Sequence, residues 1–372
     1  MGLKSYFSGF SSWDYIFFHE DILLIFILIG GTIVFFYHQT EKRAVINSLL
    51  LLIYVFVNIL LWGSRASNIG TDTYNYYHFF FYPSQRLVGF TAVFELFYLE
   101  PLFKVLVFLS SRFQSYAIFL FTVSIIINFS LYFFVRKVTR NDKYGSSLIL
   151  FLTIASMFSF SSIQFNIIRN GISIGFFLIG FSYLFDKHWG KFILFSTIAF
   201  LFHHSILMPV LLASVAMLKR IPLWAYLVYY FVAVGISLGG YGIHSIPFWQ
   251  DLGLDKLAGY ISLTETRYRV GFRWDFFLYN TFFLVVFLVL RRNGSQVYLG
   301  LLKYFVLTSG LFFLSFYIPF SDRIGVYSWI AVPVLLFVGS SVRFKEYRIV
   351  AAAITLLGFY AINRFLLFYM YM

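Results

Sequence analysis

The sequence predicts an all-α protein, a polytopic integral membrane helix bundle of about 10–12 transmembrane helices with outer-face loops and a re-entrant or interfacial helix. The first observation behind this is composition: 60% of residues are hydrophobic and only 12% charged, and mean hydropathy is +0.83, too little ionisable surface for a soluble domain. The second is a series of apolar runs of about 17 to 22 residues, the length that crosses hydrocarbon as a helix. The third is that basic residues gather in short clusters between those runs, as the positive-inside rule requires.

The clearest runs are Asp21 to Tyr37, Val45 to Trp62, Ser115 to Val135, Trp274 to Leu290 and Leu299 to Ile318. They leave no room for a soluble domain, so residues 1–372 read as one polytopic transmembrane domain. Acidic residues (Asp14, Glu20, Asp21) precede the first run and no small-residue cleavage site follows it, which predicts a retained span rather than a signal peptide. The net charge is +13, from 28 Lys and Arg against 15 Asp and Glu. In a membrane protein, topology explains such an excess before nucleic acid does. There is no cysteine, which excludes disulfides, thiolate metal sites and cysteine nucleophiles.

Basic clusters at Lys42-Arg43, Arg136 to Lys143, Lys187 to Lys191, Lys219-Arg220, Arg291-Arg292 and Arg343 to Arg348 are all expected in the cytoplasm. Between Lys42 and Arg136 the number of crossings must then be even, and two runs already supply it. The stretch from Leu87 to Arg112 should therefore not span. Its Glu95, Glu100, Pro101, Lys104 and Arg112 are costly in lipid and suit a re-entrant or interfacial helix. The same parity requires Phe192 to Leu218 to turn back, with a break at Phe202-His203-His204-Ser205. Larger outer loops follow at about 63–114 and 241–272, with both termini outside.

Once the inner clusters are set aside, the unusual polar residues fall on the predicted outer side. They include Asp72, Arg169, His203, His204, Arg267, Arg269, Arg273, Asp275, Asp322 and Arg323. Outward arginines run against the insertion bias, and arginine suits paired contact with phosphate oxygens. Beside apolar helices they point to a polyprenyl or lipid phosphate. Taken singly, each residue also has a structural reading. Gly171 and Gly175 beside Arg169 make a small-xxx-small packing stripe. Asp72, Asp275 and Ser321 or Asp322 stand where helix caps are favoured, and the histidines suit a hairpin break.

There is no GxxxxGK[ST], HExxH or GxSxG, which disfavours standard ATPases, zinc proteases and serine hydrolases. Adjacent His203 and His204 cannot share one helical face, so no metal site is expected. Few charges lie within the apolar runs and no internal repeat is evident, which disfavours a transporter.

The succession GTDTYNYYHFF (Gly70 to Phe80), EPLFKVLVFLSSRF, NIIRNGISIGFFLIGFSYL, FLFHHSILMPVLL, FRWDFFLYN and SDRIGVYSWIAVPVLL resembles the EpsG and Wzy-like polymerases of bacterial surface polysaccharides. The resemblance runs in the family's order from about residue 40 to 340. It implies a multi-pass protein of the bacterial inner membrane, active at the periplasmic face. Its activity would be an inverting, metal-independent glycosyltransferase joining oligosaccharide repeat units carried on undecaprenyl pyrophosphate into O-antigen, capsule or exopolysaccharide. No cofactor is implied. The partners implied are that lipid-linked oligosaccharide, membrane lipids and a chain-length regulator protein, with no nucleic acid. Matched by motif, Arg169 stands at the family's R-x-G helix start, His203 at FH, Arg273 and Asp275 at R-x-D, and Arg323 at R-x-G-x-Y; His204 stands where the family often has another residue.

On this reading Arg169, Arg273 and Arg323 clamp the pyrophosphate, assisted by Arg267 or Arg269. His203, then Asp72, are the candidate bases, with Asp275 the remaining catalytic candidate. Asp72, Tyr76 and His204 would contact acceptor sugar, and Tyr74, Tyr77 and Trp249 would stack on sugar rings or form an interfacial aromatic belt. The alternatives are an O-antigen ligase, which shares the donor, and a lipid-linked oligosaccharide flippase, whose cations would line a cavity open to both sides.

Overall fold

The computed structural model describes residues 11–36, 41–89, 91–96, 98–140, 147–218, 220–245, 268–291, 296–343 and 348–371. Every regular element among them is helical. Six helices are long and apolar enough to cross a membrane, and six shorter apolar helices accompany them. The protein is an all-α polytopic bundle, as its composition predicts. The chain divides into two compact units, Met1–Val210 with Ile349–Met372 and Leu211–Arg348, and each is described by itself.

The first unit opens with α1 (Ser12–Phe36) and α2 (Glu41–Gly63). Helix α1 begins nine residues before the expected span at Asp21, so His19, Glu20 and Asp21 lie inside the helix instead of ahead of it. The predicted outer loop is largely helical. It contains α3 (Thr71–Tyr76), which runs on through a π-helical turn at Tyr77–Phe81 to Ser84, then a turn at Thr91–Leu96, then α4 (Pro101–Ser111). At 11 residues, α4 is about 16 Å long, too short to span, which agrees with the parity of the basic clusters. Helices α5 (Tyr116–Val138), α6 (Ser147–Ala155), α7 (Ile168–Leu184) and α8 (Trp189–Phe202) complete the core. Helix α7 packs on α5, where a Cβ added at Gly171 would sit 3.2 Å from Ile127 Cδ1 and one added at Gly175 2.7 Å from Ser130 Cβ.

The GTDTY stretch is pinned from several directions. Thr71 N donates to Asn166 Oδ1 at 3.0 Å, and Gly70 N donates to Ser12 Oγ at 3.2 Å. Thr73 Oγ1 donates to Phe165 O at 3.0 Å and accepts from Arg65 Nε at 3.2 Å, while Tyr116 Oη donates to Thr73 O at 2.7 Å. Thus the start of α3 is satisfied by Asn166, and not by Asp72 as a cap. Arg65 also donates from Nη1 to Trp62 O. Its guanidinium is buried with no carboxylate partner among the described residues, and burial pulls its pKa down to about 10.

The second unit contains α9 (Leu207–Ala216), which starts at the end of the first unit, then α10 (Leu223–Leu238), α11 (Trp274–Leu290), α12 (Gln296–Leu314), α13 (Asp322–Trp329) and α14 (Ala331–Arg343). Polar side chains in its apolar core are bonded to one another. Asn280 Nδ2 donates to Ser309 Oγ and Ser328 Oγ at 3.1 and 3.2 Å, and Trp329 Nε1 donates to Asn280 Oδ1 at 3.2 Å. Buried Lys303 donates to the carbonyls of Ile221 and Leu218 at 2.7 and 3.2 Å, which satisfies a turn that has run out of helical donors. Helix α15 (Arg348–Tyr371) returns the chain to the first unit.

Gly70 has φ +86, and a Cβ there would approach Phe165 O to 2.8 Å. Gly70→Ala is expected to cost about 1–3 kcal/mol, lowering the unfolding midpoint in detergent well below that of Gly89→Ala. At Gly89, φ is +105 but nothing lies within 4 Å. Equal midpoints for the two variants would refute the close-approach explanation.

Candidate functional site

Helices α7 and α8 are joined by a short turn and run back along one another, so the start of one meets the end of the other. Ser173 Oγ donates to Ala199 O at 2.8 Å and sets their register. Arg169 lies one residue inside the start of α7. The helical run of α8 ends at Phe202, and His203 is extended at φ −158 and ψ 118, where the predicted break falls. Both side chains reach Glu100, the residue before Pro101 at the head of α4. The Glu100 side chain makes no capping bond to α4 and is 2% exposed.

The carboxylate is shared. Arg169 Nη1 donates to Glu100 Oε2 at 2.6 Å, and His203 Nδ1 lies 3.0 Å from Glu100 Oε1. Arg169 Nε donates to Tyr76 Oη at 2.7 Å, and Tyr76 Oη in turn meets Asp72 Oδ2 at 3.4 Å. A continuous line of polar contacts therefore runs Asp72, Tyr76, Arg169, Glu100, His203. Burial pushes the Glu100 carboxyl up, but the hydrogen bond from His203 and the charges of Arg169 and His203 together outweigh it and hold the group well below the usual carboxylate range.

Of the residues singled out in the sequence, Asp72, Tyr76, Arg169 and His203 meet in this cluster. His204 belongs to the following 3₁₀ turn, is exposed, and stacks on Phe200 with centroids 4.6 Å apart. The two histidines thus have different surroundings. In the sequence, Glu100 is a charge unsuited to lipid and the first residue of EPLFKVLVFLSSRF, with no site role assigned to it. Glu100-Pro101 does carry a helix-start signal, because proline is favoured at the first helical position, but nothing local links it to Arg169 or His203.

The second unit holds a separate cluster. Arg273 embraces Asp275, with Nε and Nη2 donating at 3.1 and 2.6 Å, and its guanidinium lies 4.3 Å from the centre of the Phe276 ring. Burial pulls the Arg273 pKa down, but the hydrogen bond and charge of Asp275 overcome this and raise it. Asp275 serves this pair, and the helix start has no side-chain cap. Tyr268 Oη donates to Asp322 Oδ1 at 2.6 Å, and burial, then the Asp322 charge, push the phenol's pKa up. Neither Ser321 nor Asp322 caps α13 through its side chain. Phe320 has φ +61, a strained conformation for a bulky residue. Its ring sits 5.0 Å from that of Tyr268 and 5.1 Å from the guanidinium of Arg323. Arg267 and Trp249 lie outside the described residues. Among the described residues no group of three or more His, Asp and Glu could hold a metal ion.

Membrane-compatible helices and polar clusters at helix ends define the class as a multi-pass membrane protein with a charged site. The EpsG family model matches residues 48–372, and the chain belongs to the EpsG family. That membership makes it a polysaccharide-polymerase-like, glycosyltransferase-like membrane protein. Neither the curated proteins nor the solved structures compared contain a match.

The sign of the Glu100 effect on stability follows from its lowered pKa. The ionised carboxylate's contribution is complete above its ordinary value of 4.5 and is lost as pH falls below it. Wild-type protein is therefore expected to lose thermal stability between pH 5 and about 3, with Glu100→Gln lacking that part of the slope. Glu100→Ala should cost about 3 kcal/mol or more at pH 7, because it strands Arg169. Parallel pH profiles for wild type and Glu100→Gln would refute the paired, ionised state.

Proposed function

We propose that this protein polymerises oligosaccharide repeat units carried on undecaprenyl pyrophosphate, at the periplasmic face of the bacterial inner membrane, by inverting, metal-independent glycosyl transfer. The observation that supports this is one buried carboxylate holding an arginine and a histidine together. That is the equipment for a reaction in which a pyrophosphate leaves and a hydroxyl loses a proton.

Pyrophosphate is already a good leaving group, so the protein's task is to hold its charge and to orient the acceptor. Arg169 is one-fifth exposed; its Nε and Nη1 are engaged by Tyr76 and Glu100, and Nη2 faces the phosphate in this proposal. With Nδ1–H of His203 donated to Glu100, Nε2 is the basic nitrogen of the imidazole. The acceptor oxygen attacks the anomeric carbon, the bond from that carbon to the phosphate oxygen breaks, and the electron pair leaves on the pyrophosphate. His203 Nε2 takes the hydroxyl proton. Attack opposite the leaving group inverts the anomeric centre. Asp72, through Tyr76, orients Arg169 or binds acceptor sugar. Arg273 and Arg323 are proposed as cations for phosphate, with Asp275 orienting Arg273.

The test is deletion and rescue in the native host with surface polysaccharide resolved by length. His203→Ala is expected to slow polymerisation about 100-fold or more and to collapse the ladder to a single repeat unit. Arg169→Ala should do the same, with membrane abundance retained. His204→Ala should keep a ladder. Wild-type ladders from His203→Ala and Arg169→Ala would refute the roles; loss of all attached polysaccharide on deletion would point instead to a ligase or a flippase.

A further inference from the structure

The earlier start of α1 places two carboxylates in the middle of its apolar span. Its apolar span is Ser12–Ile33, so Glu20 and Asp21 stand close to the midpoint, about 13 Å along the axis from Ser12. The two carboxylates point about 100° apart around the helix, one inward and one outward. Glu20 is buried beside His19, whose Nε2 meets Tyr54 Oη at 3.2 Å. Asp21 points out of the bundle and is 64% exposed.

Its partner is Arg364, on α15, whose Nη2 donates to Asp21 Oδ1 at 3.0 Å and whose side chain is itself 36% exposed. Arg364 likewise stands within one turn of the midpoint of its span, Val350–Tyr371. An ion pair open to hydrocarbon at this depth is expensive, and charges in spans almost always face protein or water. The face around it is suited to another helix. Ile25 and Leu28 continue the exposed stripe from Asp21 along α1, and Ala361 lies one turn from Arg364. Gly31 and Gly358 have open space where a Cβ would be. Behind this face a hollow of about 20 Å³ lies between α1, α15 and Ile149 and Leu152 of α6. Small residues and polar groups are what bring membrane helices together. These two spans are also the least buried of the six.

The face carries an acid and a base side by side, so it is complementary to itself. A two-fold axis through it sets Asp21 of one copy against Arg364 of the other and closes four charges into a ring. A foreign helix with a single charge would oppose one of the two. We propose that α1 and α15 form a homodimer interface, with the Asp21 and Arg364 pairs of two copies meeting at its centre. Residue 21 lies ahead of the family match at 48–372, so this surface rests partly on a segment outside the shared family region.

Because the chain has no cysteine, single cysteines test the contact directly in native membranes. Ile25→Cys and Ala361→Cys are expected to cross-link to a product of twice the chain mass, at least about fivefold above Ile193→Cys, a control exposed on α8. Adding Asp21→Arg should lower the yield about tenfold, and Arg364→Asp likewise. Co-expressing the two charge variants under different tags should restore cross-linking between tags, since opposite charges then meet only across the interface. Three results would overturn the proposal: no product from Ile25→Cys and Ala361→Cys, a yield equal to the control, or a product whose mass identifies another protein. The first two are read with native charges, so a variant that fails to insert does not protect the idea.

Discussion

The buried carboxylate of Glu100 is the constraint around which the first unit is arranged. A carboxylate removed from water must be paired and hydrogen-bonded or else give up its charge. Arg169 and His203 meet that demand from the start of α7 and the end of α8, and Glu100 itself heads α4. Three helices are thereby tied at one point, with Tyr76 bringing in α3 through Arg169. Site geometry and local stability are consequently one property. Removing Glu100 does more than delete a contact, because it leaves a cation in a low-dielectric setting and an imidazole without the group that selects its tautomer.

A second layer supports that arrangement. Asp72 and Tyr76 stand one turn apart on α3, and α3 is held by Asn166, Phe165, Arg65 and Tyr116 through the backbone and hydroxyl of its first residues. Among the described residues, Arg65 is surrounded by a carbonyl, a hydroxyl and tyrosines, with no acid. It stays charged at neutral pH even with its pKa pulled down to about 10. The π-helical turn that follows, Tyr77–Phe81, is a local departure of the kind found often at functional sites. It rotates the aromatic residues after Tyr76 relative to an unbroken α-helix.

The class of the fold was readable because it depends on totals and on runs of residues: apolar length, charge clusters and parity. Parity also identified Leu87 to Arg112 as a segment that does not cross, and the break at His203 was visible as a polar pair within an apolar run. Other features were hidden because they depend on distant partners. Glu20 and Asp21 looked like a polar boundary, since a helix that carries two carboxylates into its own middle violates the expectation used to find spans. Their cost is reduced by His19 and Arg364, the latter more than 300 residues away along the chain. Glu100 was hidden for the same reason, its two partners lying 69 and 103 residues on. The caps expected at Asp72, Asp275 and Asp322 do not form: near neighbours take the first two side chains, Tyr76 four residues on and Arg273 two residues back, and the distant Tyr268 takes the third.

The same pairing bears on how the proposed site would hold a phosphate. Bare arginines gathered at a helix end would repel one another and would be unstable whenever substrate is absent. Here Arg169 is matched by Glu100 and Arg273 by Asp275, so each cation is kept in place without a ligand. The cost is a weaker pull on an incoming anion, since part of each charge is already compensated. In the proposed reaction that compromise is useful. Product pyrophosphate must leave after every cycle, and interactions that grow as charge develops on the leaving group accelerate the reaction more than uniformly tight binding does. In that proposed reaction, orientation by a fixed carboxylate would favour turnover, whereas unpaired arginines would hold the departing pyrophosphate more tightly.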